Sequence, residues 1–375
     1  MKEIRKKRQD YLLSLGVFIL IAFGLIMIYS VSKYYSLQIT DGETDKFYLK
    51  KQLNFVGIGL VAWIVFQQID YRIWQKYSGY MLFATVFLLL LPLLPFSEQS
   101  GVGARWVDLG FTSFQPSEVA KLTLIIYLSG WLASKKVSND INKAFVPLIV
   151  IIGSIAMLML IQKDLGTLAA IVFISAAIIT MAGLSGRLLS FGGVMGVFFV
   201  WLAIKIEPYR LQRLLTFLNP ENDSLATGYH IRNALIAIGS GGFLGLGFGQ
   251  SRQKYLYLPE AHTDSIFAIT AEELGFVRAA LIVLVFAFIA LRGYKIAKNA
   301  PDNFSMLVAT GITTWLFSQM FINIAAMLSL VPLTGVPLPF ISYGGSSLVI
   351  LLSAVGILVN ISKSQQSDKT YRKLR

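Results

Sequence analysis

The chain has no cysteine in its 375 residues, which excludes disulfides and thiol-ligated metals. Charge is scarce too: 14% of residues are charged, against about 25% in a soluble domain. Acids are the rarer sign, 20 against 33 basic residues, giving a net charge of +13. What abounds is apolar: 55% of the chain, with a mean hydropathy of +0.65. Too few polar side chains remain to cover a water-exposed globule. A soluble enzyme, a disordered chain and a single-span protein with a large folded domain are all excluded.

A bilayer-spanning helix needs about 20 apolar residues. Such stretches occur at 11–32, 53–69, 79–95, 117–133, 144–161, 166–183, 188–206, 266–292, 304–329 and 345–361. They are continuous, not alternating, which favours helices over a barrel. The expectation is an all-α polytopic membrane protein with about ten transmembrane helices. Residues 1–375 form a single membrane domain, and one long extracytoplasmic loop covers 207–265. The first apolar run is too long for a signal peptide and lacks a small-residue cleavage site. No internal repeat is evident, which counts against the commonest transporter designs.

Basic residues set the orientation. With the N-terminus in the cytoplasm, 19 of the 33 Lys and Arg fall on that side. They include the basic N-terminus (1–10), Arg72, Lys76, Lys135, Lys136, Lys143, Arg187, Arg292, Lys295, Lys298 and the basic tail (362–375). The positive charge thus reports topology, with both termini cytoplasmic, and calls for no nucleic-acid partner.

The 207–265 segment has distinct parts. Residues 209–220 place Arg210 and Arg213 one turn apart on an amphipathic helix, and 228–239 read as a second helix. Residues 239–249 hold six glycines in eleven positions and fit neither GxGxxG nor GxxxxGK. Gly241, Gly245 and Gly249 are spaced four apart, which favours close helix packing. The segment is too apolar for simple disorder and is expected to lie against the membrane surface.

Asp264 leads the chemical candidates. At the mouth of the eighth span it reads either as a helix cap or as an acid–base group. Both histidines (His230, His262), Glu260 and the two arginines share its segment. Such an acid among cations at a water–lipid boundary suits transfer chemistry on an anionic lipid. Glu118 and Lys121, three apart in the fourth span, read as a structural ion pair or as a phosphate-binding pair. Glu272 and Glu273 lie about two turns into the eighth span, where one is expected to pair with Lys121 or Arg278. Arg278, close to mid-bilayer, has no obvious partner. Asp164, in the knot Gln162-Lys163-Asp164, reads as a polar hairpin or as part of the outer cluster. Arg105 and Trp106 read as a phosphate contact and an interfacial anchor. The 337–347 loop, with Ser346, reads either as a re-entrant turn or as a phosphate receptor at a helix N-terminus. All these groups except the deep charges fall on one face of the expected topology. That favours chemistry at this face over a polar path through the bilayer.

The stretches GARWVDLG, FQPSEVAKL, QKDLGT, GYHIRNALIAIGSGGFLGLGFGQS, KYLYLPEAHTDSIFAITAEELGF and PLTGVPLPFISYGGSS resemble the SEDS family of FtsW, RodA and SpoVE. The match spans nearly all of 11–361, and its YLPEAHTD and AIGSGGF wording is most like the FtsW branch. Ser265, where Phe is common, Arg278, where Gly is common, and a single arginine in GARW depart from the usual pattern.

The resemblance implies an inverting peptidoglycan glycosyltransferase of the bacterial cytoplasmic membrane. It would polymerise lipid II at the outer face, in septal wall synthesis. A class B penicillin-binding protein would be its transpeptidase, among other divisome or elongasome membrane proteins. The resemblance places the essential aspartate at Asp264, with Glu118 and Lys121 as the acid and base of the fourth span. Lys121, Arg210, Arg213, His262, Arg105 and Ser346 are the expected substrate contacts. Glu118, Asp164 and Glu272 are the expected supports. A divalent cation (Mg²⁺ or Mn²⁺) is a candidate cofactor, with Asp264 as its candidate ligand. The rival readings are a lipid II flippase, for which Arg278 is the one deep charge available, an elongation-type polymerase, and a scaffold without activity.

Overall fold

The computed structural model describes residues 9–94, 105–108, 110, 113–134, 145–206, 208–219 and 227–372. The basic segments 1–8 and 373–375, and Lys135, Lys136 and Lys143, lie outside the described residues. The described helices are α1 (Tyr11–Ile39), α2 (Phe47–Gln68), α3 (Tyr71–Leu90), α4 (Pro116–Leu132), α5 (Phe145–Ile161), α6 (Leu165–Met181), α7 (Gly186–Ile206), α8 (Pro208–Leu218), α9 (Thr227–Gly241), α10 (Ile266–Lys298), α11 (Asn303–Met327) and α12 (Gly345–Arg372). Each apolar stretch singled out in the sequence coincides with one helix. Six helices are long and apolar enough to cross a membrane, and two shorter ones (Val146–Ile161, Leu165–Met181) are also apolar. The chain is a multi-pass membrane protein.

Helix starts follow local chemistry. The Asp10 side chain accepts from the Leu13 amide (3.0 Å) and the Asp70 side chain from the Arg72 amide (2.9 Å). Asp302 and Ser305 form a reciprocal capping box that opens α11. Pro116 fills the first turn of α4, where its missing N–H is harmless. Several helices outrun their apolar stretches: α1 continues to Ile39, α10 to Lys298 and α12 to Arg372. Hydropathy ends at the first charges, whereas backbone hydrogen bonding continues into the polar interface. Likewise α3 starts at Tyr71, fixed by its Asp70 cap, eight residues before the apolar stretch at 79. The all-α expectation needs one small correction. Val107–Asp108 (β1) and Ser113–Phe114 (β2) pair antiparallel in the connection before α4.

Helices α11 and α12 form the centre: 78% of the apolar window of each is buried, against 17% in the α3 window. Outward side chains such as Phe83, Phe87 and Leu291 are exposed. In a membrane they face lipid, so their exposure carries no aggregation penalty.

Candidate active site

The loop before α10 is held by its backbone. Three successive carbonyls each accept from a different donor. His262 O takes the Tyr343 amide (2.9 Å), Thr263 O the Ser342 hydroxyl (2.6 Å), and Asp264 O the Asn323 amide (2.8 Å). Asn323 also donates to Val336 O (2.7 Å), so α11 clamps the loop and the 333–344 stretch together. The Ser342 hydroxyl also accepts from Leu338 N (2.8 Å), and Gly344 N reaches Gln52 Oε1 (3.3 Å). These polar groups of the 337–347 loop are thus used in holding the Asp264 loop. The re-entrant reading of this loop fits them better than a phosphate receptor.

With its backbone pinned, the Asp264 carboxylate opens on a cavity of about 350 Å³, and among the described residues it accepts no hydrogen bond. The cavity is walled by Arg213 of α8, Tyr229 and His230 of α9, Glu260, and Thr334 and Gly335. Burial, reinforced by the Glu260 charge, pushes the Asp264 carboxyl up to about 7, against the pull of Arg105 and Arg213. Arg105 arrives from the 105–108 segment, its guanidinium bonded to Lys163 O. A Cβ on Gly335 would lie 3.4 Å from Asp264 Oδ2 and 3.8 Å from Arg105 Nη1. Gly335 (φ +69°) therefore lets the backbone run between the two groups. Arg105 Nε and Thr334 Oγ1 are buried without a partner among the described residues. Orphaned polar groups of this kind commonly mark a ligand position.

The other expected contacts are placed differently. Lys121 Nζ is buried, bonded to Glu118 Oε1 (2.8 Å) and Gln319 Oε1 (3.0 Å), and lies 4.9 Å from the centre of the Trp315 ring. Glu118 Oε2 accepts from the Ser347 hydroxyl (3.1 Å), and the Ser346 hydroxyl accepts from Gln115 N (3.3 Å). Lys121, Glu118 and Ser346 thus knit α4, α11 and α12 together and do not line the cavity. Asp164 caps α6 through Thr167 N (3.1 Å) and accepts from Ser117 (3.2 Å), which ties the start of α6 to α4. Buried Arg210 donates to Leu160 O (2.7 Å), whereas Arg213 reaches the cavity and donates to Leu333 O (3.4 Å).

His262 is not a cavity residue. It packs among Tyr35, Tyr48 and Tyr343, with ring centroids 5.1, 4.4 and 5.6 Å away, and its Nδ1 is sealed without a partner among the described residues. The other histidine, His230, lines the cavity instead. His262 lies two residues from Asp264 in the chain, but along this irregular loop its side chain points away from the cavity.

Glu272 and Glu273 make neither predicted pair. Glu273 binds Lys254 (2.9 Å) and Ser30 (2.9 Å), while Glu272 takes the Ser251 hydroxyl (2.5 Å) and the Arg252 amide (2.9 Å). They stand at a break in α10, where Gly275 has φ +78°. The glycine-rich stretch heals that break. Leu246 N and Gly247 N donate to the carbonyls of Glu272 and Glu273 (3.0 Å each), and Phe276 N donates to Gly242 O (2.8 Å). A Cβ on Gly275 would sit 2.3 Å from Gly245 N. So Gly241, Gly245 and Gly249 do not form one helix face. Positive φ at Gly242, Gly245, Gly247 and Gly249 makes this an irregular strap, and the first two of the spaced three, Gly241 and Gly245, touch the α10 backbone. Arg278 is exposed, and its partner is the Leu244 carbonyl of the strap (2.9 Å).

Asn323, Gly335, Lys254 and Ser251 escaped sequence reading. Asn323 and Gln319 are the two amide side chains within the 304–329 apolar stretch, and that was the available signal. Among the described residues no three His, Cys, Asp or Glu side chains converge as a metal cage. Asp264 and Glu260 are the two carboxylates among the described residues that line the cavity.

The chain is similar to known proteins over almost its whole length. The chain is 40% identical over 362 residues to the stage V sporulation protein E of Bacillus subtilis, covering 96% of this chain and 98% of that one. It is 38% identical over 365 residues to a probable peptidoglycan glycosyltransferase FtsW of Geobacter sulfurreducens, covering 96% of each. Among solved structures, the rod shape determining protein RodA of Thermus thermophilus superposes with a TM-score of 0.70 at 25% identity, covering 95% of this chain and 97% of that one. A chain of a peptidoglycan synthase complex shares the fold at TM-score 0.77 and 24% identity, covering 95% and 98%. The sequence pattern of the cell cycle proteins FtsW, RodA and SpoVE matches residues 11–367, and this chain belongs to that family.

Proposed function

We propose that the chain is an inverting peptidoglycan glycosyltransferase that polymerises lipid II into β-1,4 glycan strands at the outer face of the bacterial cytoplasmic membrane. The observation that carries this reading is the Asp264 carboxylate. It is unbonded among the described residues, pinned through its backbone, and faces a cavity that Arg213 also lines, with the Arg105 charge acting on it as well. A general base works best with a pKa near the working pH, and Asp264 at about 7 meets that condition.

In this reading the reaction is a single displacement. Asp264 takes the proton of the acceptor 4-hydroxyl, and that oxygen attacks the anomeric carbon of the second lipid II. The bond to undecaprenyl pyrophosphate breaks, and the diphosphate leaves toward Arg105 and Arg213. The donor is α-linked and the product β, so one displacement with one base suffices. A Mg²⁺ or Mn²⁺ ion here would take Asp264 as its protein ligand and diphosphate oxygens for most of its remaining shell, neutralising the leaving group. Both termini are cytoplasmic in this reading, and the transpeptidase partner is a class B penicillin-binding protein in septal synthesis. Lys121 and Lys254 are closed off by Glu118 and Glu273, and Arg278 is exposed and ends on a backbone carbonyl, which supports transfer at one face over translocation.

The test uses purified protein and lipid II in detergent, where sidedness has no meaning. Wild type forms glycan strands and Asp264→Asn loses about 10²–10⁴-fold of the rate. Near-normal strand output from Asp264→Asn refutes the assignment. Repeating the assay with EDTA asks separately whether an ion is needed.

A further inference from the structure

His230 is a cavity residue for which the mechanism above has no use. Its hydrogen bonding fixes its tautomer. The Ser265 hydroxyl carries one proton and donates it to Pro259 O (2.9 Å). The same oxygen lies 2.7 Å from His230 Nε2 and can therefore only accept there. Nε2 carries the ring proton, and Nδ1 is left with a lone pair. Nδ1 has no partner among the described residues, and it is not sealed in protein as His262 Nδ1 is. Burial lowers the His230 ring to about 4, with Arg213 helping and Glu260 opposing, so the ring is neutral at physiological pH. The cavity thus holds a second acceptor beside Asp264, oriented through the residue next to Asp264 in the chain. A lone pair repels diphosphate oxygens and suits a neutral donor of a sugar.

Resting on the glycosyltransferase reading, we infer that His230 Nδ1 is a substrate contact. It accepts a hydrogen bond from a neutral donor of the acceptor sugar, a hydroxyl or the acetamido N–H, beside the hydroxyl deprotonated by Asp264. His230 is then a specificity residue for a sugar with a donor at that position.

Two amide substitutions separate contact from scaffolding. His230→Asn places an amide near Nδ1 but is too short to reach Ser265. His230→Gln reaches Ser265 but leaves nothing at Nδ1. Binding of dansylated lipid II is measured by titration in detergent, in an Asp264→Asn background where turnover does not interfere. KM and kcat are measured with Asp264 intact. The inference expects His230→Gln to lose about tenfold in affinity, the worth of one neutral hydrogen bond, with KM rising in step. His230→Asn should stay closer to wild type. The reverse order, with Gln near wild type and Asn impaired, overturns it, as does equal binding by all three proteins. Thermal unfolding of each variant confirms that it folds. If instead Asp264→Asn polymerises normally, the function itself is refuted, an outcome distinct from any ordering of the His230 variants.

Discussion

Asp264 and Glu273 stand nine residues apart around the N-terminal end of α10, yet their surroundings are opposite. Glu273 is fully buried, and its carboxylate is met by an ammonium and a hydroxyl, with the Ser251 amide at 3.4 Å. Asp264 is only half-buried, yet its carboxylate meets nothing among the described residues except space and two nearby guanidinium groups. A buried charge with every lone pair used is a structural element, since removing a partner leaves an uncompensated ion. A pinned charge with lone pairs unused is under tension that a substrate can relieve. Satisfaction of hydrogen bonds, more than burial, separates the two sites.

The sharpest way to break this contrast is to neutralise each acid and read both activity and stability. Asp264→Asn should remove about 10²–10⁴-fold of polymerisation. It should leave thermal stability equal or higher at neutral pH. The sign follows from linkage: the folded carboxyl titrates at about 7 against 3.8 unfolded. The folded state therefore binds more protons between those values, and stability falls as pH rises through them. A neutral amide removes that penalty. Glu273→Ala should do the opposite, unfolding the protein by about 3–5 kcal/mol because Lys254 loses its counter-ion in the interior. Measured melting temperatures and strand output should fall together. A Glu273→Ala protein that is stable but inactive would erase the distinction between the sites.

A second break comes from the strap. Gly275→Ala must hold φ +78° while its methyl meets Gly245 N at 2.3 Å. Backbone strain alone costs about 1–3 kcal/mol. Gly249→Ala meets no atom within 4 Å, though it too sits at positive φ, so it should cost less. The two melting temperatures test whether the strap, and not the helix alone, holds the Glu272–Glu273 region in place.

The contrast also explains what was legible in the sequence. Apolar runs are written residue by residue, so every long helix was found, while the ends set by the Asp10, Asp70 and Asp302 caps were not read. Asp264 and Arg213 stood out because charge is rare and they cluster in one segment. What was hidden is pairing across distance. Glu273 joins Ser30, 243 residues away, and Asn323 holds the carbonyl of Asp264, 59 residues away. Periodicity put Glu272 and Glu273 on a regular helix, but Gly275 breaks that helix and delivers them to Ser251 and Lys254. Lys121 read with Glu118 as a structural ion pair or as a phosphate-binding pair, and the spacing alone could not choose. Gln319, 198 residues away, and Trp315 complete its surroundings together with Glu118.

The smallest effect sharpens the contrast most finely, because it moves the Asp264 carboxyl without touching it. With Asp264 as base, kcat/KM should rise with pH and level off above about 7. Each pH unit below that removes about tenfold of the ionised form. The groups acting on it are Glu260 and Asp164, which raise its pKa, and Arg105 and Arg213, which lower it. Glu260 is exposed and bonded to the Thr263 hydroxyl, so Glu260→Gln keeps a hydrogen-bonding side chain and removes only charge. The acid limb of the profile should then move to lower pH, with the plateau rate nearly unchanged. Arg213→Gln should move it the other way and also lower the plateau, since that guanidinium faces the departing diphosphate. Glu273 lies outside this set, so Glu273→Gln should leave the limb where it is. A limb that follows Glu273 and ignores Glu260 would assign the titrating base to the strap and take it from the cavity.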